Sequence, residues 1–378
     1  MIFPDYLNNN IVNLAGTILK AFDINPLYPA LKELEDLKKY NNIILLVIDG
    51  LGYKYFSEHC RNSFLEKYYV KKLCSVFPST TASAITSLET GVAPQQHGIT
   101  GWFMLLKELG VVAAVLPFTA RYGGQSFSHR GIQREDIFTE KRITDRIRPS
   151  FTIYPEKIID GKVNRKNENI LTFKKLGGML SQIKKAVSSS NKRKFIYAYW
   201  DGFDAVCHWK GCASINALEH LILLDKNISS LAESLKNSGS LLIVTADHGL
   251  IDTEKSRTIY LNEYPEIYET LSLPLCGEPR VAYCYVREAC TKDFEKHVRE
   301  KLGYCCEIYK SSELITKGVF GLYEPVKTLW QRTGDYVLIM KENYAIKDKL
   351  LNEKTFNFIG NHGGTSEEEM FIPLIIIK

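Results

Sequence analysis

The chain has 378 residues, of which 45% are hydrophobic and 24% charged. This composition is ordinary for a globular protein and excludes a disordered, collagenous or coiled-coil chain, while the length suggests about two to three domains. Basic residues exceed acidic ones by only 48 to 43, so nothing predicts specific binding of a nucleic acid. No apolar run approaches the ~18 residues that suggest a membrane span.

The N-terminal sequence and the cysteines predict a location in a reducing compartment. The segment MIFPDYLNNN lacks the basic and apolar regions of a conventional secretory signal. The nine cysteines are an odd number with no CxxC spacing, and the only close pair is Cys305 and Cys306. We therefore expect reduced, mostly buried thiols and a cytoplasmic protein, unless an unconventional route exports it.

The first predicted strand is the continuous apolar run NIILLVI at 42–48, which ends at Asp49. Such a run with β-branched residues is typical of a strand buried on both faces in a parallel sheet. An Asp after a strand is more often a turn former or a helix cap than a ligand. Asp49 alone is therefore weak evidence for a site.

A hydroxyl-rich segment follows at 77–101, FPSTTASAITSLETGVAPQQHGITG. A helix that starts near Thr81 would direct its free N–H groups and positive dipole end towards the same crevice, which suits an anion. Taken alone, the segment would be an ordinary capped helix. Trp102 and Phe103 come just after it and are candidates to stack a base, although adjacent aromatics are more often core residues.

Two further apolar runs predict parallel strands, KFIYAYW before Asp201 and SLLIVTA before Asp247. The residues 214–236 between them have helical apolar spacing, with Gly239 as a plausible cap, so the three segments predict a βαβ unit. Ligands of open α/β sheets bind outside the carboxyl ends of the strands. The acids at these strand ends are therefore expected to converge in one crevice.

Combinations of acids and histidines predict a metal centre. Asp204 and His208 are four residues apart, so a helix would present both on one face. Asp247 and His248 supply an oxygen and a nitrogen ligand directly at a strand end, and His362 lies in a glycine-flanked loop. This ligand chemistry suits zinc, with manganese or a similar ion as the alternative.

The segment 253–352 is turn-rich and predicts a small α+β insertion, since the run FIPLIII at 371–377 again resembles a core strand. We expect a core formed by residues 1–252 and 353–378, with 253–352 as an inserted cap subdomain. Loops on a fixed scaffold usually carry specificity, so the cap is the expected place for substrate selection.

Five ordered motifs resemble the nucleotide pyrophosphatase/phosphodiesterase family of the alkaline phosphatase superfamily: LLVIDGLG, the 77–101 segment, DAVCH, TADHG and NHGGTSEEEMFIPLI. The resemblance implies an α/β fold, an alkaline-phosphatase-like three-layer sandwich with a central mostly parallel sheet and helices on both faces. It also implies two divalent ions, zinc being favoured, and a Thr or Ser nucleophile.

Position by position, the resemblance implies one metal held by Asp204, His208 and His362. The other metal would be held by a second set of residues, together with the nucleophile: Asp49, Asp247, His248 and Thr81.

The nucleophile of the family stands nine residues before the Thr of a Thr-Gly turn, which here is Thr90-Gly91 and selects Thr81 over Thr80. Where the family usually has an Asn three residues later, this chain has Ala84, so the donor that holds the phosphate is unidentified. The N–H of Ala82 and the hydroxyl of Ser83 are candidates.

The motifs predict a metal-dependent phosphodiesterase or nucleotide pyrophosphatase that acts on a small phosphodiester or nucleotide through a Thr-linked covalent intermediate. Four alternatives stay open: a phosphomonoesterase, a phosphonoacetate-hydrolase-like enzyme, a phosphoglycerate-mutase-like enzyme, and an effector that modifies another macromolecule. No Arg adjoins Thr81 to pair with a phosphate dianion, although Arg121, Arg130 or Arg134 could approach from elsewhere. The sequence does not indicate the oligomeric state.

Overall fold

A computed structural model describes residues 1–34, 36–158, 169–351, 353 and 357–378. Its strands in chain order are β1 (Asn42–Ile48), β2 (Tyr69–Cys74), β3 (Phe103–Leu106), β4 (Val111–Ala114), β5 (Thr119–Ala120), β6 (Ser150–Pro155), β7 (Asn169–Phe173), β8 (Lys194–Trp200), β9 (Ser240–Thr245), β10 (Ile251–Asp252), β11 (Thr258–Tyr260), β12 (Cys276–Glu278), β13 (Val281–Cys284), β14 (Cys306–Lys310), β15 (Tyr336–Met340), β16 (Ala345–Lys347), β17 (Gly360–Asn361) and β18 (Phe371–Ile377).

The α-helices in the same described ranges are α1 (Ile11–Ala21), α2 (Tyr53–His59), α3 (Thr81–Thr90), α4 (Pro94–His97), α5 (Arg134–Ile137), α6 (Ile143–Arg146), α7 (Leu176–Ser188), α8 (Gly202–Lys210), α9 (Ile215–Leu235), α10 (Pro265–Tyr268), α11 (Thr291–Leu302), α12 (Ser311–Thr316), α13 (Leu329–Arg332) and α14 (Glu367–Met370). None of these helices is long and apolar enough to cross a membrane.

The core sheet contains seven strands of the described chain in the order β2-β18-β9-β1-β8-β6-β7. The five strands from β9 to β7 are parallel, and β18 is antiparallel to both of its neighbours. Every residue of β1 and of β8 is buried, so both faces of the sheet are covered. The predicted mostly parallel three-layer α/β fold is confirmed.

The helix between β8 and β9 shows why the sequence prediction succeeded in the core. α9 has a Ser214 cap whose hydroxyl accepts the Ala217 N–H, and its buried residues recur at helical spacing: Ala217, Leu221, Leu224, Ile228, Leu231 and Leu235. β8, α9 and β9 therefore form the predicted βαβ unit, with β8 and β9 on opposite sides of β1.

A second seven-stranded sheet of the described residues has the order β14-β15-β13-β12-β3-β4-β5. Four of its strands come from the predicted cap, whereas β3, β4 and β5 come from residues 103–120, which the sequence analysis placed in the core. The join between the two groups is the pairing of Gly277 with Phe103. The cap boundaries stay a prediction, and residue 352 at one of them lies outside the described residues.

Candidate active site

The predicted ligands lie at the carboxyl edge of the parallel strands. Asp49 directly follows β1, and Asp247 and His248 follow β9. Asp204 and His208 lie on α8, which begins two residues after β8, and His362 follows β17. The convergence that the strand ends predict is therefore observed, while the role of these residues as ligands stays a prediction.

A glycine permits the close approach of two of these elements. Gly50 has φ +77°, a left-handed conformation that favours glycine. A Cβ atom there would lie 2.5 Å from Leu250 Cδ1 and 3.1 Å from Asp204 Cβ. The turn after β1 can thus pass close to α8 only without a side chain at this position.

The buried cluster consists of Asp49, Asp247 and His248, whose ligand atoms lie within 4.8 Å of one another. His248 Nε2 is 3.4 Å from Asp49 Oδ1 and 3.4 Å from Asp247 Oδ2, and these side chains are at most 4% exposed. Asp247 Oδ1 accepts the N–H groups of Gly50 and His248, which fixes the carboxylate.

The rim cluster consists of Asp204, His208 and His362. His208 Nε2 is 3.2 Å from Asp204 Oδ2, with side chains 18% and 13% exposed. The ring of His362 stacks on that of His248 with centroids 4.0 Å apart, and its centroid is 5.1 Å from that of His208. Ligand atoms of Asp204, His248 and His362 also lie within 4.8 Å of one another, so His248 stands between the two clusters.

Thr81 is the first residue of α3 and lies against the buried cluster. Its Oγ1 is 3.0 Å from His248 Nε2 and 3.5 Å from Asp49 Oδ1. The side chain of Thr81 also lines the large cavity next to the site. A hydroxyl is thus placed between candidate metal ligands and the space open to a substrate.

The hydrogen bonds of the histidines direct nitrogen lone pairs inward. His208 Nδ1 lies 2.7 Å from the Gly360 carbonyl, and His248 Nδ1 lies 3.1 Å from the Gly249 carbonyl. A carbonyl only accepts, so each Nδ1 carries the proton and each Nε2 offers its lone pair to the site.

Within the described part of the chain, three buried polar atoms of the clusters have no hydrogen-bond partner: Asp204 Oδ1, Asp247 Oδ2 and His362 Nδ1. Buried polar groups are normally satisfied, and atoms left unpaired in this way fit metal ligands. The donor set of carboxylate oxygens and imidazole nitrogens also fits zinc or manganese. The residues present therefore fit the binding of divalent metal.

Burial dominates the electrostatics of the site. Burial, reinforced by the neighbouring carboxylates of Asp247 and Asp204, raises the pKa of Asp49 well above its usual range. Burial also raises the pKa of Asp204, against the opposing effect of two nearby histidines. It lowers the pKa of His362 well below the usual value, and the neighbouring histidines act in the same direction. Acids crowded in this way are stabilised in their ionised form by a bound cation.

One strand-end acid does not join the clusters. Asp201 is the N-cap residue of α8, and its carboxylate forms an ion pair with Lys157 at 2.6 Å. Asp201 lines the same cavity as Asp49, as the expected convergence in one crevice requires, but it is not part of a candidate ligand cluster in the described structure. The candidate ligand on this side is Asp204, from the first turn of α8.

Of the three candidate substrate contacts, Trp102 lines the cavity, whereas Ala82 and Ser83 do not. Trp102 lines the cavity and is 39% exposed, as a stacking role requires. Ala82 is buried, and the Ser83 hydroxyl is buried with no hydrogen-bond partner in the residues that the structure describes. Neither residue is among the residues that line the cavity.

The sequence predicted no role for two polar side chains that lie near the site, Tyr199 and Glu278. The Tyr199 hydroxyl, on β8, donates a short hydrogen bond to Asp49 Oδ2. Glu278, on β12, accepts hydrogen bonds from the Thr80 hydroxyl at 2.6 Å and from the Trp102 N–H at 2.7 Å. Burial raises the pKa of Glu278 to about 7, against the lowering effect of these two donors. No motif marked either residue.

The cavity beside the clusters has a volume of about 1930 Å³ and lies between the core sheet and the second sheet. Its wall includes Trp102, Phe103 and Phe118 from the 102–120 region. This volume is larger than the roughly 300 to 1,000 Å³ of typical small-molecule pockets. The site therefore has room for a substrate with a large leaving group.

A model of the type I phosphodiesterase/nucleotide pyrophosphatase family matches residues 43–365. Among solved structures, murine ectonucleotide pyrophosphatase/phosphodiesterase 5 is similar, with a TM-score of 0.66 and 19% identity over 88% of this chain and 87% of that chain. Its inactive threonine-to-alanine variant in complex with AMP gives the same values. The human protein gives 17% identity at the same TM-score and coverage. A search of curated proteins found no significant match.

Proposed function

The chain belongs to the type I phosphodiesterase/nucleotide pyrophosphatase family. From this premise we propose that it is a metal-dependent enzyme that hydrolyses phosphodiester or pyrophosphate bonds of nucleotide-type substrates. The reaction would proceed through a phosphorylated Thr81. One observation carries the proposal. The Thr81 hydroxyl lies 3.0 Å from His248 Nε2 at the start of a helix, facing a large cavity. A phosphoryl group that enters the cavity would meet this hydroxyl.

Two divalent ions, with zinc favoured, would be held by the buried cluster and the rim cluster. When bound, such ions lower the pKa of a coordinated hydroxyl or water and offset negative charge on phosphoryl oxygens. The unpaired atoms Asp204 Oδ1, Asp247 Oδ2 and His362 Nδ1 support this occupancy.

The residues of the chain account for a two-step displacement. Thr81 Oγ1 forms a bond to phosphorus as the bond to the leaving group breaks, and the proton of the hydroxyl passes to solvent or to the leaving oxygen. Water then attacks phosphothreonine on its phosphorus, which releases the product and restores the Thr81 hydroxyl. Asp204 and His208, which are partly exposed at the rim, would orient this water.

The partners and positions of the three candidate arginines favour a diester substrate over a monoester substrate. Arg121 pairs with Asp348 at 2.6 Å and with Glu353 at 3.0 Å, and Arg134 donates to the carbonyls of Val115 and Leu116. Arg130 is not among the residues that line the cavity. A phosphate dianion needs more positive charge than a diester monoanion, so the engagement of these side chains supports a diester substrate.

The cavity wall supports a nucleotide-type substrate. The exposed indole of Trp102 offers a face on which a base could stack.

We also propose that the protein works in a reducing compartment such as the cytoplasm. The nine cysteines are free thiols in the structure, which supports this proposal.

Hydrolysis of chromogenic esters tests the proposal. We expect the metal-loaded protein to cleave bis-p-nitrophenyl phosphate and the p-nitrophenyl ester of thymidine 5'-phosphate faster than p-nitrophenyl phosphate. A chelator should abolish the activity, and Zn²⁺ or Mn²⁺ should restore it. Preference for the monoester, or full activity after complete removal of metal, would contradict the proposal.

A further inference from the structure

A fully buried ion pair joins the second sheet to the short helix that precedes β18. Arg280 lies between β12 and β13, and Glu369 lies on α14, 89 positions further along the chain. Arg280 Nε donates to Glu369 Oε1 at 3.1 Å, and Arg280 Nη2 donates to Oε2 at 2.9 Å. The two side chains are 1% and 0% exposed. Such a pair adds little net stability, because both charges lose their water, but it fixes the segments that it joins.

The position of Arg280 is set by the second sheet. Its Nη1 atom donates to the Tyr344 carbonyl, and its Nη2 atom donates to the Glu342 carbonyl at 2.6 Å. Both carbonyls belong to the turn between β15 and β16. The guanidinium is therefore held by backbone groups of the second sheet, and Glu369 is held against it.

Glu369 in turn holds the loop that carries His362. Its Oε1 atom accepts the Gly364 N–H at 2.8 Å. A Cβ atom at Gly364 would lie 2.6 Å from Glu369 Oε2, so the loop and the carboxylate are in close contact. The Gly364 carbonyl accepts the Ser79 hydroxyl at 2.8 Å, which ties the loop to the segment before α3. Residues 362–364, the His362 loop, are thus fixed from two sides.

The ring of His362 depends on its loop more than the rings of the other two histidines do. His208 and His248 each donate an Nδ1–H to a backbone carbonyl, which orients the ring. Among the described residues, His362 Nδ1 has no hydrogen-bond partner. Its ring is placed by stacking on His248 and by the backbone that carries it. A shift of this backbone would therefore move the nitrogen that the rim cluster offers to a metal ion.

We propose that Glu369 is a positioning residue: held by Arg280, it fixes the His362 loop and thereby sets the affinity of the rim cluster for its metal ion. The second sheet, which also forms a wall of the cavity, is connected to the metal centre in this way. The inference rests on the proposed function for the presence of two ions. It goes beyond that function by assigning a role to two residues outside both clusters.

Two double variants separate the hydrogen bond to the loop from the ion pair. The apolar variant, Arg280→Met/Glu369→Leu, replaces both charges with apolar side chains of similar size, which proteins often tolerate. Its leucine accepts no hydrogen bond from Gly364. The amide variant, Arg280→Met/Glu369→Gln, also lacks the ion pair, but its amide oxygen can still accept that hydrogen bond. Calorimetric titration of the metal-free proteins with Zn²⁺ measures the affinity of each ion.

We expect the apolar variant to bind one of the two ions about tenfold more weakly, as is typical when a residue behind a metal ligand is lost. The other ion should bind as in wild type, and the amide variant should retain most of the lost affinity. Arg121→Met/Asp348→Leu is the matched control, because that pair is also buried and Asp348 also accepts a backbone N–H, from Leu275. The control should bind both ions like wild type.

His362→Ala identifies the affected ion and separates positioning from general support of the fold. This variant should bind the rim ion weakly, and adding the apolar pair should cause little further loss, since both changes act through the same ligand. An equal loss with and without the His362 side chain would overturn the proposal. Equal weakening of both ions, or wild-type affinities in the apolar variant, would do the same, as would an amide variant as defective as the apolar one.

Two further results keep the outcome decisive. If the apolar variant does not fold, Arg280→Lys keeps the charge without the paired geometry of the guanidinium and should weaken the same ion, again only while His362 is present. If wild type hydrolyses no diester, the proposed function fails, but the metal affinities of the same proteins still decide the role of Glu369. Wild type that binds fewer than two ions would contradict the role of the His362 loop.

Discussion

The two clusters of candidate ligands differ in their access to the cavity. In the buried cluster, Asp49 and Asp247 are fixed by hydrogen bonds from Tyr199 and from backbone N–H groups, and their side chains are at most 4% exposed. In the rim cluster, Asp204 and His208 are 13% and 18% exposed. Among the described residues, the hydrogen bonds of the Thr81 hydroxyl are to Asp49 and His248 of the buried cluster. This difference suggests that the rigid set activates the nucleophile and that the more open set handles the water of the second step.

The strongest test of this division removes the nucleophile. Thr81→Ala should lower kcat/KM for the diester by on the order of 10³-fold or more, because the variant lacks the hydroxyl proposed as the nucleophile, and the Tyr199 hydroxyl at the same cluster is engaged by Asp49. Steady-state hydrolysis of the thymidine ester measures the loss. Thr86→Val is the matched control on the same helix, since that hydroxyl donates only to the Ala82 carbonyl. Equal losses in both variants would assign the effect to the helix instead of the Thr81 hydroxyl.

The second test compares one acid from each cluster. Asp247→Asn should suppress the attack by Thr81, whereas Asp204→Asn should mainly slow the hydrolysis of phosphothreonine. We expect steady-state rates to fall by more than about 100-fold in both, since even residues behind the ligands are worth 10- to 100-fold. Rapid mixing should show a burst of about one nitrophenolate per protein in Asp204→Asn and none in Asp247→Asn. Identical time courses would remove the distinction between the clusters.

The third test uses pH. The raised pKa of Asp49 means that the metal-free folded protein holds a proton more tightly than the unfolded chain. That contribution to stability is present below the unfolded pKa of about 4 and is lost as pH rises through the folded pKa. Metal binds the ionised carboxylates, so the difference in Tm between metal-loaded and metal-free protein should grow with rising pH. A difference in Tm that does not change with pH would contradict this assignment.

The smallest effect concerns the support of Asp49. Tyr199→Phe removes the hydroxyl that donates to Asp49 Oδ2, and we expect metal affinity to fall about tenfold. Tyr197→Phe is a close control, because the Tyr197 hydroxyl lies on the same strand and is buried without a hydrogen-bond partner among the described residues. Competition with a chromogenic chelator measures both affinities. Equal affinities in the two variants would show that the hydrogen bond to Asp49 does not tune the site.

Sequence patterns predicted those parts of the site that depend on local geometry. Asp49 and Asp247 follow buried parallel strands whose ends must meet, and the four-residue spacing of Asp204 and His208 requires only a helix. Four strands of the core sheet, β1, β8, β9 and β18, were predictable because they are continuous apolar runs, whereas β2, with the sequence YVKKLC, is not such a run.

Contacts that depend on distant pairing were not predictable. Tyr199 reaches Asp49 because β8 pairs in parallel with β1, with Tyr199 opposite Val47. Glu278 reaches Thr80 across 198 positions of the sequence, through a sheet that joins β12 to β3. A single sequence shows neither the register nor the partner of such strands, and short alternating strands do not reveal which sheet they join.

The position of β18 has a consequence for biosynthesis. This strand, residues 371–377, lies between β2 and β9 in the core sheet. During translation, β9 would leave the ribosome long before β18 is made. The edge of β9 that later pairs with β18 would then be open to wrong pairing. We therefore expect the core to close only after these residues emerge. A nascent chain arrested before residue 371 should then remain sensitive to protease throughout the segment that holds the metal ligands.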